Sequence, residues 1–124
     1  MQSKFIQVST TVDSKARANS IATRLLQERV ASCVQVFGPI SSSYWWSGKI
    51  EPAKEWYCLI KGRAEDYRSI EASIRKIHSY KVPEILATPI LNGNPDYLRW
   101  IKEETDRSSR HQLPRRSLKK KKIE

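Results

Sequence analysis

Hydrophobic positions recur along this chain with two different periods, and the changes between them mark out the elements. Residues 4–11 (KFIQVSTT) set Phe5, Ile6 and Val8 among β-favouring neighbours and predict a first strand. From residue 14 to residue 30 the spacing lengthens to three and four. Ala18, Ile21, Ala22, Leu25, Leu26 and Val30 then share one helical face, with Arg17, Arg24, Gln27 and Glu28 turned outward and Asp13 placed as the cap. A second helix is predicted over 64–79. Its buried stripe is Tyr67, Ile70, Ile74 and Ile77, and Arg63, Glu65, Asp66, Arg68, Arg75 and Lys76 face water. Residues 83–91 (PEILATPIL) alternate as a strand that Asn92-Gly93 ends. Asn94-Pro95 then opens a last short helix, 96–105, on Tyr97, Trp100 and Ile101.

Between the first two helices lies a stretch out of proportion to the rest. Residues 33–61 (CVQVFGPISSSYWWSGKIEPAKEWYCLIK) read as two long β-limbs joined by a two-residue turn at Ser47-Gly48. Gly38-Pro39 interrupts the first limb and predicts a bulge or bend, because proline has no N–H for the ladder and glycine weakens a strand interior. At ~3.3 Å per residue a limb of about fourteen residues spans roughly 45 Å, more than the roughly 30–35 Å width of a 100-residue domain. Part of the hairpin is therefore expected to overhang, carrying Tyr44, Trp45, Trp46 and Trp56 with it. Exposed aromatic strands of this kind predict coverage by further copies of the chain, an obligate homo-oligomer.

The order β-α-β-β-α-β, followed by a short C-terminal helix, predicts an α+β, ferredoxin-like sandwich: one four-stranded antiparallel sheet with both main helices on one face. Its other face would pack against neighbouring subunits. Length assigns residues 1–106 to one such domain, large enough to bury a core without disulfides or metal.

Charge changes this picture only at the end of the chain. The net charge is +10, but residues 107–124 hold eight Lys or Arg and one acid. The domain is mildly basic, and 107–124 is predicted to be a disordered basic tail with weak, salt-sensitive affinity for polyanions. The N-terminal residues show no signal-peptide pattern and no segment is long and apolar enough to span a membrane, which predicts a cytoplasmic protein. Cys33 and Cys58 fall about 13 Å out of register in the hairpin, too far to bridge, so both are expected to be reduced.

Several separate runs, VASCVQVFGPISSSYWWSGKIE, EWYCLIK, HSYKVPEI and PILNGNPDYLRWI, together resemble the CutA family of divalent-cation-tolerance proteins, over about residues 4–106. The resemblance implies a ferredoxin-like homotrimer whose long hairpin pairs with neighbouring subunits. It also implies association with copper and other divalent metals in a response to metal ions. The copper-competent bacterial pattern has a cysteine near the end of the first strand and a histidine pair at the end of the second helix. This chain has Ser9 and Ile77-His78 there, so only His78 carries over, with Cys33 as a second candidate ligand that symmetry would have to bring to it. The family motifs also fall on Tyr44, Trp46, Lys49, Glu51, Glu55, Lys61, Tyr80 and Glu84, polar or aromatic positions expected at a cleft between subunits. That set suits either a small anionic ligand, as in a signal-transducing trimer, or a purely structural contact. No nucleophile with an adjacent base and no phosphate-binding loop is present, so the chain is not expected to be an enzyme.

Overall fold

The computed structural model describes residues 3–107. Four strands and three helices follow one another as β1 (Phe5–Val12), α1 (Lys15–Gln27), β2 (Cys33–Trp46), β3 (Lys49–Arg63), α2 (Tyr67–Ile77), β4 (Leu86–Pro89) and α3 (Pro95–Glu104). All strands belong to one antiparallel sheet in the order β2-β3-β1-β4. The protein is therefore α+β, as the hydrophobic pattern predicts.

The core sits between one sheet face and the helices. Ile6, Val8 and Val12 of β1 and Cys58 and Ile60 of β3 point to the same side, because alternate strand residues share a face, and meet Ala18, Ile21 and Leu25 of α1 and Ile70 and Ile74 of α2. Each fully buried isoleucine or leucine stabilises the fold by about 1.5–3 kcal/mol relative to exposure. The opposite face carries Phe5, Leu59 and a stacked Phe37–Tyr57 pair with ring centroids 4.8 Å apart, and it is only partly covered. Gly62 lets β3 pass under the loop after α1, since a Cβ there would lie 2.7 Å from the Val30 carbonyl oxygen.

The hairpin turns at Ser47-Gly48. Both residues have positive φ, 50° and 78°, the geometry that matches the strand twist, and Trp46 pairs with Lys49 across the turn. The bulge lies where Gly38-Pro39 predicts it. Phe37 pairs with Tyr57 and Ile40 with Glu55, so three steps on β2 are matched by two on β3. An added Cβ at Gly38 would lie 2.8 Å from Trp56 Cδ1 and 2.9 Å from the Glu55 carbonyl oxygen, so only glycine fits. The extra residue also reverses the alternation: beyond it Ile40, Ser42, Tyr44 and Trp46 share the face of Phe37 and Glu55.

Several expectations need correction. Ser14, not Asp13, caps α1, accepting from the Arg17 N–H at 3.1 Å, while Asp13 takes the Arg17 side chain at 3.3 Å and the Ser79 hydroxyl at 3.2 Å. The helix stops at Gln27, because Arg29 adopts a left-handed conformation (φ 60°) that returns the Val30 N–H to the Leu25 carbonyl. Trp56 does not overhang; it lies opposite Val12 and packs against the core. A single 3-10 turn (Ala64–Asp66) precedes α2, and Arg63 and Asp66 beside it face inward, not to water. Asp66 is 3% exposed and holds Arg107 through both oxygens at 2.8 and 3.3 Å, while Arg63 donates to the Thr105 carbonyl at 2.9 Å. Arg107, grouped with the tail by its charge, is thus fixed to the domain, and residues 108–124 lie outside the described residues. Finally, β4 spans only four residues of the predicted nine, its ladder confined between Ile6 and Ser9 and its end set by Pro89.

Candidate functional site

The last rung joining β1 to β3 is Val12–Trp56, yet β3 begins seven residues earlier, at Lys49. The edge of β3 over residues 49–55 therefore has no strand beside it in this chain. Tyr80, Val82 and Glu84, on the connection after α2, border an open cavity of ≈ 720 Å³ beside the hairpin. Its walls include Tyr44, Trp45 and Trp46 of β2, Glu55 of β3, Tyr80 and Glu84 of the connection, and Thr11 of β1. Five of the sequence-nominated positions, Tyr44, Trp46, Glu55, Tyr80 and Glu84, are thus brought together within one protomer.

Glu55 is the buried carboxylate of the cavity, 6% exposed. The Tyr80 hydroxyl donates to its Oε2 at 2.8 Å. Burial, and secondarily this bond and the carboxylate charge, push the Tyr80 phenol well above its ordinary value, so it remains a donor. Glu55 makes no ion pair among the described residues, and none of the described Lys or Arg lines the cavity. The wall is acidic and aromatic, a poor match for an anionic ligand.

His78, at the C-terminal end of α2, stands behind this wall. Its Nε2 lies 2.9 Å from the Thr11 carbonyl oxygen, and its Nδ1 accepts the Tyr80 backbone N–H at 3.2 Å. A carbonyl only accepts, so Nε2 carries the proton and the ring is neutral. Burial holds its pKa below the usual 6.5 despite the Thr11 bond, with Arg17 acting in the same direction. Both nitrogens are therefore occupied, and the ring serves to fix Tyr80 over Glu55, 4.9 Å from the Tyr80 ring.

This geometry does not suit a copper or zinc ion ligated by His78. A His78 ligand would need a free nitrogen lone pair; Ser9 is a half-buried strand residue, and Ile77 packs against the core. Cys33 pairs with Lys61 at the hairpin base, four rungs or about 13 Å along the strands from Thr11, so one chain does not bring it to His78. Among the described residues no group of three His, Cys, Asp or Glu could hold a metal ion. Cys58 lies fully inside the core, where burial pushes its thiol up to about 11.

The remaining nominated residues lie apart. Lys49 and Glu51 face Trp46 and Tyr44 in the ladder without lining the cavity, and Lys61 donates to Gln35 Oε1 at 2.6 Å near the base. Thr11, Ser42, Ser43, Trp45 and Val82 line the cavity but are not singled out as site residues by the sequence. For Trp45 a signal exists, an aromatic next to Trp46; for Thr11, Ser42, Ser43 and Val82 there is none, since the fold of the backbone brings them in.

Comparison with known proteins agrees with this architecture. The family described as CutA1 divalent ion tolerance protein matches residues 6–104. The divalent-cation tolerance protein CutA of Archaeoglobus fulgidus is 41% identical over 96 residues, covering 77% of this chain and 93% of its own length. Its solved structure, of a protein described as periplasmic, superimposes with a TM-score of 0.79 at 39% identity, covering 82% of this chain and 98% of that one. The CutA1 structure from the psychrotrophic bacterium Shewanella sp. SIB1 gives a TM-score of 0.82 at 36% identity, with 84% and 97% covered. No helix among the described residues is long and apolar enough to cross a membrane. With nearly the whole folded region matched by sequence and by structure, the chain belongs to the CutA family of divalent-cation tolerance proteins.

Proposed function

We propose that this chain is a non-enzymatic binding protein that acts in divalent-cation tolerance as a homotrimer of ferredoxin-like subunits, capturing a cationic ligand in the cavity under its hairpin. The observation that carries the reading is the Glu55 carboxylate, almost fully buried, with one hydrogen bond and no cationic partner among the described residues. A desolvated charge without a counter-charge is costly, and a cation entering the cavity relieves it. The strand order β2-β3-β1-β4 supports the ferredoxin-like assignment. The exposed tip aromatics and the unpaired edge of β3 support assembly with further copies. Copper or zinc as the cation would be held through carboxylate and hydroxyl oxygens of the cavity, not through His78 and Cys33. A cytoplasmic setting belongs to the same reading, supported by two free thiols, Cys33 and Cys58.

Calorimetric titration of the reduced, full-length protein with copper, zinc and magnesium chloride tests it. Cation binding that weakens in Glu55→Gln and survives His78→Gln is expected. Copper binding abolished by His78→Gln and indifferent to Glu55→Gln would overturn the assignment of the site.

A further inference from the structure

We infer that this protein has a second binding surface, separate from the hairpin: residues 108–124, starting just beyond the clasped Arg107, bind the phosphate backbone of nucleic acid without reading its sequence. Residues 1–107 hold sixteen Lys or Arg and twelve Asp or Glu, whereas 108–124 hold seven Lys or Arg and one acid. The two parts of the chain therefore differ in kind.

The structure sets where the binding segment begins. The Arg107 guanidinium reaches both oxygens of Asp66, at 2.8 and 3.3 Å, and donates to the Arg29 carbonyl at 3.1 Å. Asp66 is almost wholly buried, so the charge of Arg107 is matched inside the domain. Sequence charge alone groups Arg107 with the residues after it; the fold takes it away from them. The acids around this root are also committed, since Glu104 takes Arg29 at 2.8 Å and Asp66 is shared by Arg107 and Arg63. Glu103 and Asp106 are too few to neutralise seven further cations, and the domain as a whole carries a positive excess. Folding back onto the domain is thus electrostatically unfavourable for 108–124. Small counterions or another molecule must balance its charge, and a polyanion that displaces those ions gains the free energy of their release.

Composition selects the class of polyanion. Arg115, Arg116 and Lys119, Lys120, Lys121 and Lys122 put six cations within eight residues, beside Ser108, Ser109, Gln112 and Ser117, which also donate to phosphate oxygens. No Trp, Tyr or Phe is present to stack on a base, so contact stops at the backbone. A lipid surface is the weaker match. Leu113, Leu118 and Ile123 recur every five residues, a spacing that gathers onto no single helical face and supplies no apolar anchor for a membrane. With charge alone available, the denser array is favoured, and duplex nucleic acid carries one charge per ~1.7 Å of its axis.

Fluorescence anisotropy of two short labelled DNA duplexes of unrelated sequence, titrated with the full-length protein over a range of potassium chloride concentrations, provides the test; sedimentation with phosphatidylserine-containing vesicles runs beside it. Both duplexes should bind alike, with a dissociation constant of about 1–100 μM at physiological salt, and log affinity should fall against log salt with a slope of about −3 or steeper. Replacing Arg115, Arg116, Lys119, Lys120, Lys121 and Lys122 by Gln at full length should raise the dissociation constant at least about tenfold and flatten the slope. A paired Asp66→Asn, Arg107→Gln variant, which removes both charges of the clasp together, should leave the slope unchanged. A slope flattened by that pair would put Arg107 among the phosphate contacts and overturn the boundary. Duplex binding that survives the six-residue variant but falls with Arg75→Gln, Lys76→Gln would place the surface on α2 and overturn the inference. So would a strong preference for one duplex, tighter binding to the vesicles than to either duplex, or no binding at all.

Discussion

At the base of the hairpin, Cys58 and Ile60 are wholly inside the core and Val34 and Val36 pack against it; at its tip, Trp45 is 70% and Ile50 64% exposed. The two regions have similar composition and the same ladder, and they differ only in what the rest of the chain lays against them. β1 and α1 reach the base, whereas β1 ends opposite Trp56 and no strand of the same chain extends along the edge beyond. Strand-forming character therefore sets a segment's local geometry, while its energetic worth depends on neighbours. The base stabilises the subunit. The tip shapes the cavity and leaves apolar surface uncovered within the subunit.

Ile60→Ala challenges this division most severely. The fully buried side chain leaves a cavity on removal, and chemical denaturation should show a loss of about 2–5 kcal/mol. A loss within the range of surface substitutions would mean that the base does not anchor the subunit. Gly38→Ala, at the boundary between base and tip, comes next. The added methyl collides with Trp56 and with the Glu55 backbone, so a loss of about 1–3 kcal/mol is expected, together with weakened ligand binding in the cavity. At the tip, a Trp45→Ser, Ile50→Ser double variant removes apolar surface that the subunit itself does not use. Sedimentation should report a lower mass than the unaltered protein at the same concentration, with circular dichroism of the subunit unchanged. An assembly that persists undiminished would mean that another surface, such as the open sheet face bearing Phe37 and Tyr57, suffices to hold the copies together.

The smallest expected effect concerns His78, which joins the core side of the molecule to the cavity. Its pKa is lowered in the fold, chiefly by burial, so the unfolded chain binds the proton more readily. The stabilisation is therefore complete above the ordinary value of 6.5 and declines as pH falls below it and through the folded value. Unfolding free energy of the unaltered protein should drop between about pH 7 and pH 5 more steeply than that of His78→Gln, measured side by side. Equal slopes would remove His78 as the titrating group.

Most of the scaffold is legible in the amino-acid sequence. The helical stripes of α1 and α2, the two-residue turn and the bulge each follow from local periodicity or from residues with restricted backbones. What escapes such reading is decided at a distance. Asp66 and Arg63 carry charge at outward-looking helical positions, but Arg107, 41 residues after Asp66, and the end of α3 supply partners that make burial tolerable. Similarly, Cys33 and His78 are a plausible ligand pair by residue type, and only the sheet register separates them. Ligand chemistry by type cannot report that both nitrogens of His78 are already engaged.

The α+β order of elements, the family, the length of the hairpin and the position of its bulge are properties of the sequence alone, because they rest on side-chain periodicity and on glycine and proline geometry that act over a few residues. Which strand β1 lies beside, where that pairing stops, and hence the burial of Glu55 under Tyr80 without a cation among the described residues, emerge only when the chain is packed. Those outcomes depend on register between segments some twenty-five to sixty residues apart, and register is set by the packed core as a whole.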